Sequence, residues 1–519
     1  MKRFLLSILI CLLFSPQIRA QKKVYYGEQH RPQIHFSPEA HWMNDPNGMV
    51  YYKGEYHLFY QYYPDDIVWG PMHWGHAVSK DLVSWKHLPI ALAPDTLGYI
   101  FSGSAVVDWR NTSGFQYGKH EPLVAVFTYH NMVGEKANTL DFQYQGIAYS
   151  TDNGRNWTKY KGNPVIKNTE RLKDFRDPKV FWHVASNQWV MILARGNQIR
   201  IYNSPNLKDW TFASDFGLNH GAAGLPWECP DLFELPVDGN PKNNKWVMLV
   251  SLGDGSPNGG SGTEYFIGSF DGKVFKNENA PEVTQWVDYG RDNYAGVTWS
   301  NVPQKDGRRI LLGWMSNWKY AQKVPTSTWR SAMTIPRTLS LKATEKGIKL
   351  VSKPIDELKN LRQRLDISIV SQKIVNETKT KTSLATTIKS GELILEFEKG
   401  TASDFGVKLS NGKGEFLLIG FDTLSNQFYT DRTFAGKKDF SPDFAGKHYA
   451  PRFSNAQTIK WHIVFDKSSV EVFADDGLTV ITDTFFPNED FNKLTFYANN
   501  GYVRLKSGRG YPFSSIWKK

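Results

Sequence analysis

The fold follows from a short stretch, Ser79-Lys80-Asp81-Leu82-Val83-Ser84-Trp85, that recurs along the chain. Each copy begins with Ser, has Asp or Asn two residues later, and ends on an aromatic residue six or seven positions after the Ser. The later copies occupy residues 150–157, 204–210 and, more loosely, 269–275. The intervals are irregular, but each has room for one four-stranded sheet with loops of variable length.

Short alternating segments lie between the copies, as in residues 189–193, 246–251 and 309–314, and such alternation is typical of strands. A repeated four-stranded unit indicates a β-propeller. Four marked units and a fifth across about residues 293–345 predict an all-β fold with five units around a centre.

A second informative stretch is His41-Trp42-Met43-Asn44-Asp45-Pro46-Asn47-Gly48. Pro46 removes a backbone donor and Gly48 permits positive φ, so we expect Asp45 at a bend. Residues 49–61 then alternate apolar and polar side chains and are predicted to form a strand. On this stretch alone, a simple Asx turn explains Asp45 as well as a catalytic carboxylate does.

Two more carboxylates precede strand-like segments, in Phe175-Arg176-Asp177-Pro178 and in Trp227-Glu228-Cys229-Pro230-Asp231. Proline restrains the residue before it to extended conformations, which would hold the neighbouring carboxylate in a fixed direction. The three acids fall in the first, third and fourth units. Only a radial arrangement brings them to one central point, where paired carboxylates could cleave a glycosidic bond.

The chain resembles glycoside hydrolase family 32, the invertases, inulinases, levanases and fructan β-fructosidases. Four motifs carry the resemblance besides the two acid motifs just quoted: Trp42-Met43-Asn44-Asp45-Pro46-Asn47-Gly48, Phe101-Ser102-Gly103-Ser104, Gly313-Trp314-Met315 and Ser469-Val470-Glu471-Val472-Phe473. They follow the family's order over nearly the whole chain after the leader. The resemblance implies a five-bladed β-propeller followed by a C-terminal β-sandwich.

The resemblance also implies catalytic roles. Asp45 corresponds to the nucleophile, Glu228 to the acid/base and Asp177 to the transition-state stabiliser of a retaining mechanism. Apolar neighbours would raise the pKa of Glu228 by desolvation, while Asn44 or backbone N–H groups would keep Asp45 ionised. Because a guanidinium favours ionised acids, we expect Arg176 to lie nearer Asp177 than Glu228.

Further positions match the family's substrate-binding residues. By resemblance, Gln61, Trp69, Ser102 and Trp314 line the fructose subsite, Trp42 and Phe101 form its aromatic wall, and Asn44 and Arg176 complete the set. Each of these residues, taken alone, could equally belong to the core or to a turn. Trp318 offers another aromatic ring near the rim and favours an oligomeric or polymeric substrate.

The chain divides into four predicted segments. Residues 1–20 are typical of a secretory signal peptide, with Lys2 and Arg3 before an apolar run that is too short to span a membrane comfortably. The catalytic propeller is expected over residues 21–350. A linker helix over 351–365, opened by Pro354, precedes a β-sandwich over 366–519 whose role is structural or sugar-binding. Its strand candidates are residues 393–397, 416–421, 459–465, 470–473 and 493–497.

Composition narrows the function class. The formal charge of +11 is scattered along the 519 residues, which indicates a solvated surface and no nucleic-acid groove. Cleavage of the leader would leave Cys229 as the one cysteine, so no intramolecular disulfide is predicted. The thirteen His residues show no ligand spacing. We therefore predict no metal and no cofactor.

The sequence predicts an exported retaining hydrolase that releases fructose from levan, inulin, fructo-oligosaccharides and sucrose. An endo-acting levanase or inulinase and a fructosyltransferase remain open, since all three share the covalent intermediate. A non-catalytic fructan-binding module is disfavoured because all three acids are present. A sialidase is the remote alternative: residues 150–157 fit the sialidase box once, but sialidases use a tyrosine nucleophile.

Overall fold

A computed structural model describes residues 25–222, 226–365, 367–379 and 390–517. The predicted signal peptide therefore lies outside the described residues. Successive strands of each blade pair antiparallel. The first blade comprises β1 (His41–Tyr52), β2 (Glu55–Tyr63), β3 (His73–Ser79) and β4 (Trp85–Leu92). The second comprises β5 (Tyr99–Val107), β6 (Leu123–His130), β7 (Gln143–Ser150) and β8 (Thr158–Lys159), with helix α1 (Met132–Lys136) between β6 and β7.

The remaining blades follow in chain order. The third comprises β9 (Phe175–His183), β10 (Gln188–Arg195), β11 (Gln198–Ser204) and β12 (Thr211–Phe216). The fourth comprises β13 (Trp227–Val237), β14 (Asn240–Leu252), β15 (Gly262–Phe270) and β16 (Phe275–Asn277). The fifth comprises β17 (Tyr294–Thr298), β18 (Arg309–Met315), β20 (Ala332–Met333), β21 (Arg337–Thr344) and β22 (Gly347–Pro354), with a 3-10 helix at Ala321–Lys323. Strand β19 (Trp329–Arg330) lies between β18 and β20 in the chain.

The first strand of each blade faces the centre. β1 contacts β5, β5 contacts β9, β9 contacts β13, β13 contacts β17, and β17 contacts β1. The ring is closed by β19, which leaves the fifth blade and pairs in parallel with β1, placing Trp329 beside His41. The predicted propeller of five units is confirmed.

The recurring sequence stretch forms the same turn in four blades, between the third and fourth strands. Oδ1 of Asp81, Asp152, Asn206 and Asp271 each accepts two backbone N–H groups from residues two to four positions later. These Asx turns explain why Asp or Asn occupies that position. The sialidase-like box at 150–157 is one of them.

The segment that carries Asp45 differs from its prediction. Residues 49–61 are not one strand, because a turn at Lys53-Gly54 joins β1 to β2. β1 already begins at His41, so Asp45 lies inside a strand. The register of β1 against β2 shifts between Met43 and Pro46, and this irregularity takes the place of the expected bend.

The C-terminal β-sandwich is confirmed. In the described part of this domain the strands are β23 (Ile367–Lys379), β24 (Gly391–Glu398), β25 (Asp404–Ser410), β26 (Phe416–Asp422), β27 (Gln427–Phe434), β28 (Lys447–Pro451), β29 (Thr458–Asp466), β30 (Ser469–Ala474), β31 (Thr479–Thr484) and β32 (Lys493–Pro512), with a 3-10 helix at Asp475–Gly477. The long β32 pairs with β25 through its first part and with β24 through its last. One strand thus joins the two halves of the sandwich.

The predicted linker helix is shorter than expected. β22 continues to Pro354, and a 3-10 helix covers only Asp356–Leu361. Leu358 and Leu361 are buried in it, as their spacing predicted, but the first residues assigned to the helix belong to the last propeller strand. Antiparallel pairing with β21 decides the conformation there.

Buried charges join the propeller to the sandwich. Arg337 Nη1 lies 2.8 Å from Asp288, and its Nε lies 3.0 Å from Glu471 of β30. His35 contacts Asp466 at 2.8 Å and Glu471 at 3.0 Å. We call the full set the interdomain network: His35, Asp288, Asp292, Arg337, Arg432, His448, Asp466, Glu471 and Asp483.

Candidate active site

All five inner strands are irregular near their N-terminal ends. Register shifts interrupt β1, β5, β9, β13 and β17 at equivalent places. Asp177, Cys229 and Ala295 have φ of 64°, 45° and 53°, which is rare for residues with a Cβ. Pro178 predicted an extended conformation for Asp177, and the positive φ shows that this prediction is wrong. Bulges of this kind redirect side chains, here toward the centre of the propeller.

The three acids meet at this end of the central ring. Asp45 of β1, Asp177 of β9 and Glu228 of β13 line one cavity of about 250 Å³. The thiol of Cys229 lies 3.4 Å from Oδ2 of Asp45 and 3.7 Å from Oδ2 of Asp177. We call Asp45, Asp177 and Glu228 the acid trio.

Among the described residues, Arg176 is the one arginine that lines this cavity, and its position differs from the prediction. Its Nη2 and Nε lie 2.7 and 3.2 Å from Oε1 of Glu228, whereas Nε is 3.9 Å from Asp177. It also binds Asp174. The expectation that Arg176 would lie nearer Asp177 is wrong. Glu228 stands on the neighbouring inner strand, and only the ring of strands brings it within reach of Arg176.

Burial governs the protonation of the trio. Desolvation raises the pKa of Asp177 to about 7, with Arg176 opposing the shift and the charges of Glu228 and Asp45 adding to it. Desolvation also raises the pKa of Glu228, opposed by Arg176 and assisted by Asp45. The pKa of Glu228 was expected to be raised by desolvation, and the structure agrees with that direction. Together the acids retain a proton at a pH where free carboxyls have lost theirs.

Asp45 is held by a hydroxyl. The Oγ of Ser102 donates to Oδ2 of Asp45 at 2.8 Å. Asn44 does not take the expected role, because its Oδ1 accepts the indole N–H of Trp42 at 2.8 Å. Within the described part of the chain, Oδ1 of Asp45 has no hydrogen-bond partner. That oxygen is buried and, among those residues, unpaired.

Six of the predicted substrate-binding residues line the cavity with the acids: Asn44, Gln61, Trp69, Phe101, Ser102 and Arg176. Trp42 and Trp314 are fully buried behind the wall, with ring centroids 6.0 Å apart. Trp318 lines the cavity in front of them, 4.8 Å from the ring of Trp314. Roles for Trp42 and Trp314 in binding sugar remain predictions.

Sequence reasoning missed the rest of the lining: His130, Glu135, Phe142, Gln143, Lys173 and Asp174. His130, Glu135, Phe142 and Gln143 belong to the β6–β7 connection or its ends. No motif marks them, but their position beside an inner strand of the ring could have drawn attention to them.

The described ranges contain neither a cluster of metal-ligating side chains nor a membrane-spanning helix. Among those residues, no group of three or more His, Cys, Asp and Glu side chains is placed to hold a metal ion. None of the helices described there is long and apolar enough to cross a membrane.

Comparisons with known proteins show which family the chain resembles over most of its length. The model of the glycosyl hydrolases family 32 N-terminal domain matches residues 35–354, and that of the family's C-terminal domain matches residues 357–512. A levanase from Bacillus subtilis (strain 168) is 52% identical over 98% of this chain and 74% of its own length. An extracellular exo-inulinase from Aspergillus awamori is 38% identical over 95% of this chain and 96% of its own length.

Solved structures are also similar. The crystal structure of the Aspergillus awamori exo-inulinase superposes with a TM-score of 0.87 at 36% identity, covering 95% of this chain and all of that one. The fructofuranosidase from Schwanniomyces occidentalis complexed with fructose superposes with a TM-score of 0.82 at 32% identity, again over 95% of this chain and all of the other. On these matches and on its acid motifs, the chain belongs to glycoside hydrolase family 32.

Proposed function

We propose that this protein is a retaining, exo-acting β-fructosidase that releases fructose from levan, inulin and shorter fructans, and from sucrose. The observation that carries the proposal is the convergence of three carboxylates from three blades on one small cavity, with Arg176 bonded to Glu228. Cleavage of a terminal fructoside needs a nucleophile, a proton donor and a group that binds the hydroxyls of the sugar.

In the proposed first step, the carboxylate of Asp45 attacks C2 of the terminal fructose while Glu228 gives its proton to the departing oxygen. The bond from C2 to that oxygen breaks, and a fructosyl–Asp45 ester forms. In the second step, Glu228 takes a proton from water, the hydroxide adds to C2, and Asp45 departs. Asp177 accepts hydrogen bonds from fructose hydroxyls in both transition states.

The electrostatics of the cavity suits this cycle. Glu228 must be protonated in the first step and ionised in the second. Burial raises its pKa, which favours the proton, while the contact with Arg176 at 2.7 Å stabilises the carboxylate left after proton transfer. Ser102 donates a hydrogen bond to Oδ2 of Asp45 at 2.8 Å, which holds the nucleophile in place.

The cavity and the relatives support exo action on both linkages. About 250 Å³ is close to the lower end of ligand pockets and suits one or two sugar units more than a chain passing through. Similarity to the Bacillus subtilis levanase supports levan as a substrate, and similarity to the extracellular exo-inulinase supports inulin. Export of the protein is supported by the leader-like residues 1–20 and by the similarity to an extracellular exo-inulinase.

The proposal is tested by product chromatography after the protein is incubated separately with sucrose, inulin and levan. The control is Asp45→Ala. Fructose as the only early product from a polymer is expected. A ladder of oligosaccharides would replace exo with endo action, products longer than the substrate would indicate fructosyl transfer, and no release from any of the three would refute the fructosidase assignment.

A further inference from the structure

The β6–β7 connection forms one wall of the cavity and has no part in the steps above. It leaves β6 at Asn131, whose backbone N–H donates to the carbonyl of Phe142 at 2.8 Å. A Cβ at Gly134 would lie 3.1 Å from both Phe142 Cβ and Thr139 Oγ1, so the connection is closely packed on itself. This closely packed connection places Glu135 in the lining of the cavity.

A directed series of hydrogen bonds ties this wall to the strand that carries Asp177. The backbone N–H of Phe175 donates to Oε1 of Gln143 at 2.8 Å, so the amide N–H groups of Gln143 face Nδ1 of His130, 3.2 Å away. Nδ1 must then accept, which places the proton of the neutral ring on Nε2. That nitrogen lies 3.0 Å from Oε2 of Glu135 and donates to it.

The ring of His130 is also fixed by stacking. It lies parallel to Phe101, with centroids 4.1 Å apart and planes 10° apart, and edge-on to Phe142. Burial lowers the pKa of His130, an effect that Glu135 only partly opposes, so the ring is neutral at neutral pH. A neutral donor orients a carboxylate without cancelling its charge.

The second oxygen of Glu135 remains available. The side chain is 41% exposed, and among the described residues Oε1 makes no hydrogen bond. Across the described lining of the same cavity, Lys173 is exposed and its ammonium likewise has no hydrogen-bond partner. The mouth of the cavity thus offers one oriented acceptor and one donor, the pair that sugar hydroxyls satisfy.

We infer that Glu135 is a substrate-binding residue for the departing sugar: its Oε1 accepts a hydrogen bond from a hydroxyl of the unit next to the cleaved fructose, and His130 positions it. The inference rests on the proposed function, because it assumes that the acid trio holds the terminal fructose. Glu135 then selects leaving groups that carry hydroxyls.

The test compares leaving groups with and without hydroxyls. Values of kcat/KM are measured for Glu135→Ala on sucrose, on the trisaccharide 1-kestose and on p-nitrophenyl β-D-fructofuranoside, whose aryl leaving group has no hydroxyl. We expect a loss of about tenfold on the two sugars and of less than about twofold on the aryl fructoside, since one hydrogen bond to a charged group is removed. Glu135→Gln keeps an acceptor oxygen and should lose less.

The matched control is Glu278→Ala, because Glu278 has a similar exposure of 40% and one ionic partner, Lys245, away from the cavity. Equal losses on all three substrates would mean that Glu135 only supports the wall, and would overturn the inference, as would unchanged kcat/KM on the sugars. If the unaltered protein releases no fructose from any substrate, the proposed function fails and the inference fails with it.

Discussion

Two clusters of carboxylates in this molecule differ in how many cationic groups face them. In the interdomain network, five carboxylates face two arginines and two histidines. In the acid trio, Arg176 contacts Glu228 at 2.7 Å and lies 3.9 Å from Asp177, and it is the one arginine among the described residues that line the cavity; it also binds Asp174. Asp45, Asp177 and the five carboxylates of the network are buried, whereas the side chain of Glu228 is 25% exposed, so the clusters differ mainly in the number of cations that face them.

The pKa values follow that difference. Burial pushes the pKa of Glu471 upward, but Arg337 and His35 outweigh it, and the pKa lies below its ordinary value. Burial lowers the pKa of His35, yet Asp466 and Glu471 raise it to about 9. In the trio, desolvation outweighs the opposing effect of Arg176, and the pKa of Asp177 rises to about 7. Carboxylates with cationic partners lie between the two domains of this protein. Carboxylates with too few cationic partners retain a proton, which catalysis can use.

The largest expected effect comes from removing members of the trio. Asp45→Ala and Glu228→Ala should each lower turnover by about 10³-fold or more, because the nucleophile or the proton donor is lost. For Asp45→Ala the unfolding temperature should stay the same or rise, since Asp45 makes no ion pair with Arg176 and its charge raises the pKa values of Asp177 and Glu228. Fructose release and thermal unfolding measure the two effects. Substantial turnover by a folded variant would refute the role given to that acid.

In the interdomain network we expect a substitution to reduce stability. Arg337→Met leaves Glu471 and Asp288 buried without their guanidinium and should reduce the free energy of unfolding by about 3–5 kcal/mol. Urea denaturation measures the loss. Lys245→Met, which breaks the exposed pair with Glu278, serves as the control and should cost under about 1 kcal/mol. Equal stability of the two variants would contradict the contrast between the clusters.

A pH series sharpens the comparison at Asp177. Its pKa of about 7 in the folded protein exceeds the ordinary value of 3.8, so the stability it contributes is present below about pH 4 and is lost as the pH rises through 7. Asp177→Asn cannot ionise. We expect the variant and the unaltered protein to unfold at similar temperatures at pH 4, and the variant to be more stable at pH 8, by at most about 4 kcal/mol.

The result would be contradicted by a stability difference that does not change between pH 4 and pH 8. The histidine His35 also titrates in the folded protein, with stability lost as the pH rises from about 6.5 through 9. Because that contribution is common to both proteins, it cancels in the difference.

The smallest effect is expected at Ser102. Ser102→Ala removes the hydrogen bond to Asp45 and should lower kcat/KM by about 10–100-fold, the worth of one hydrogen bond to a charged group. Steady-state kinetics provides the measurement. Ser104, two residues along β5, is the matched control because it bonds the backbone of Pro178 and Val180 instead of an acid. Ser104→Ala should affect stability more than turnover, and equal kinetic losses would remove the special role of Ser102.

Several features could be predicted from sequence because they are local or repeated. The Asx turns are formed by side chains that bond backbone two to four residues away, so a repeat in sequence reports a repeat in structure. The position of each acid near the start of an inner strand follows from its place in the unit. The bulges could not be predicted, since they depend on pairing with the next strand and oppose the extended conformation that Pro178 favours for Asp177.

The sequence by itself determined the propeller of five units, the sandwich that follows it, and the three carboxylates that belong together. Only the tertiary structure decided that Arg176 binds Glu228, that Ser102 and not Asn44 holds Asp45, and that His130 aims Glu135 at the cavity. The first two contacts join strands of different blades, and the third joins the end of β6 to helix α1. Their energies depend on through-space distance and on exclusion of water, which a linear order of residues does not contain.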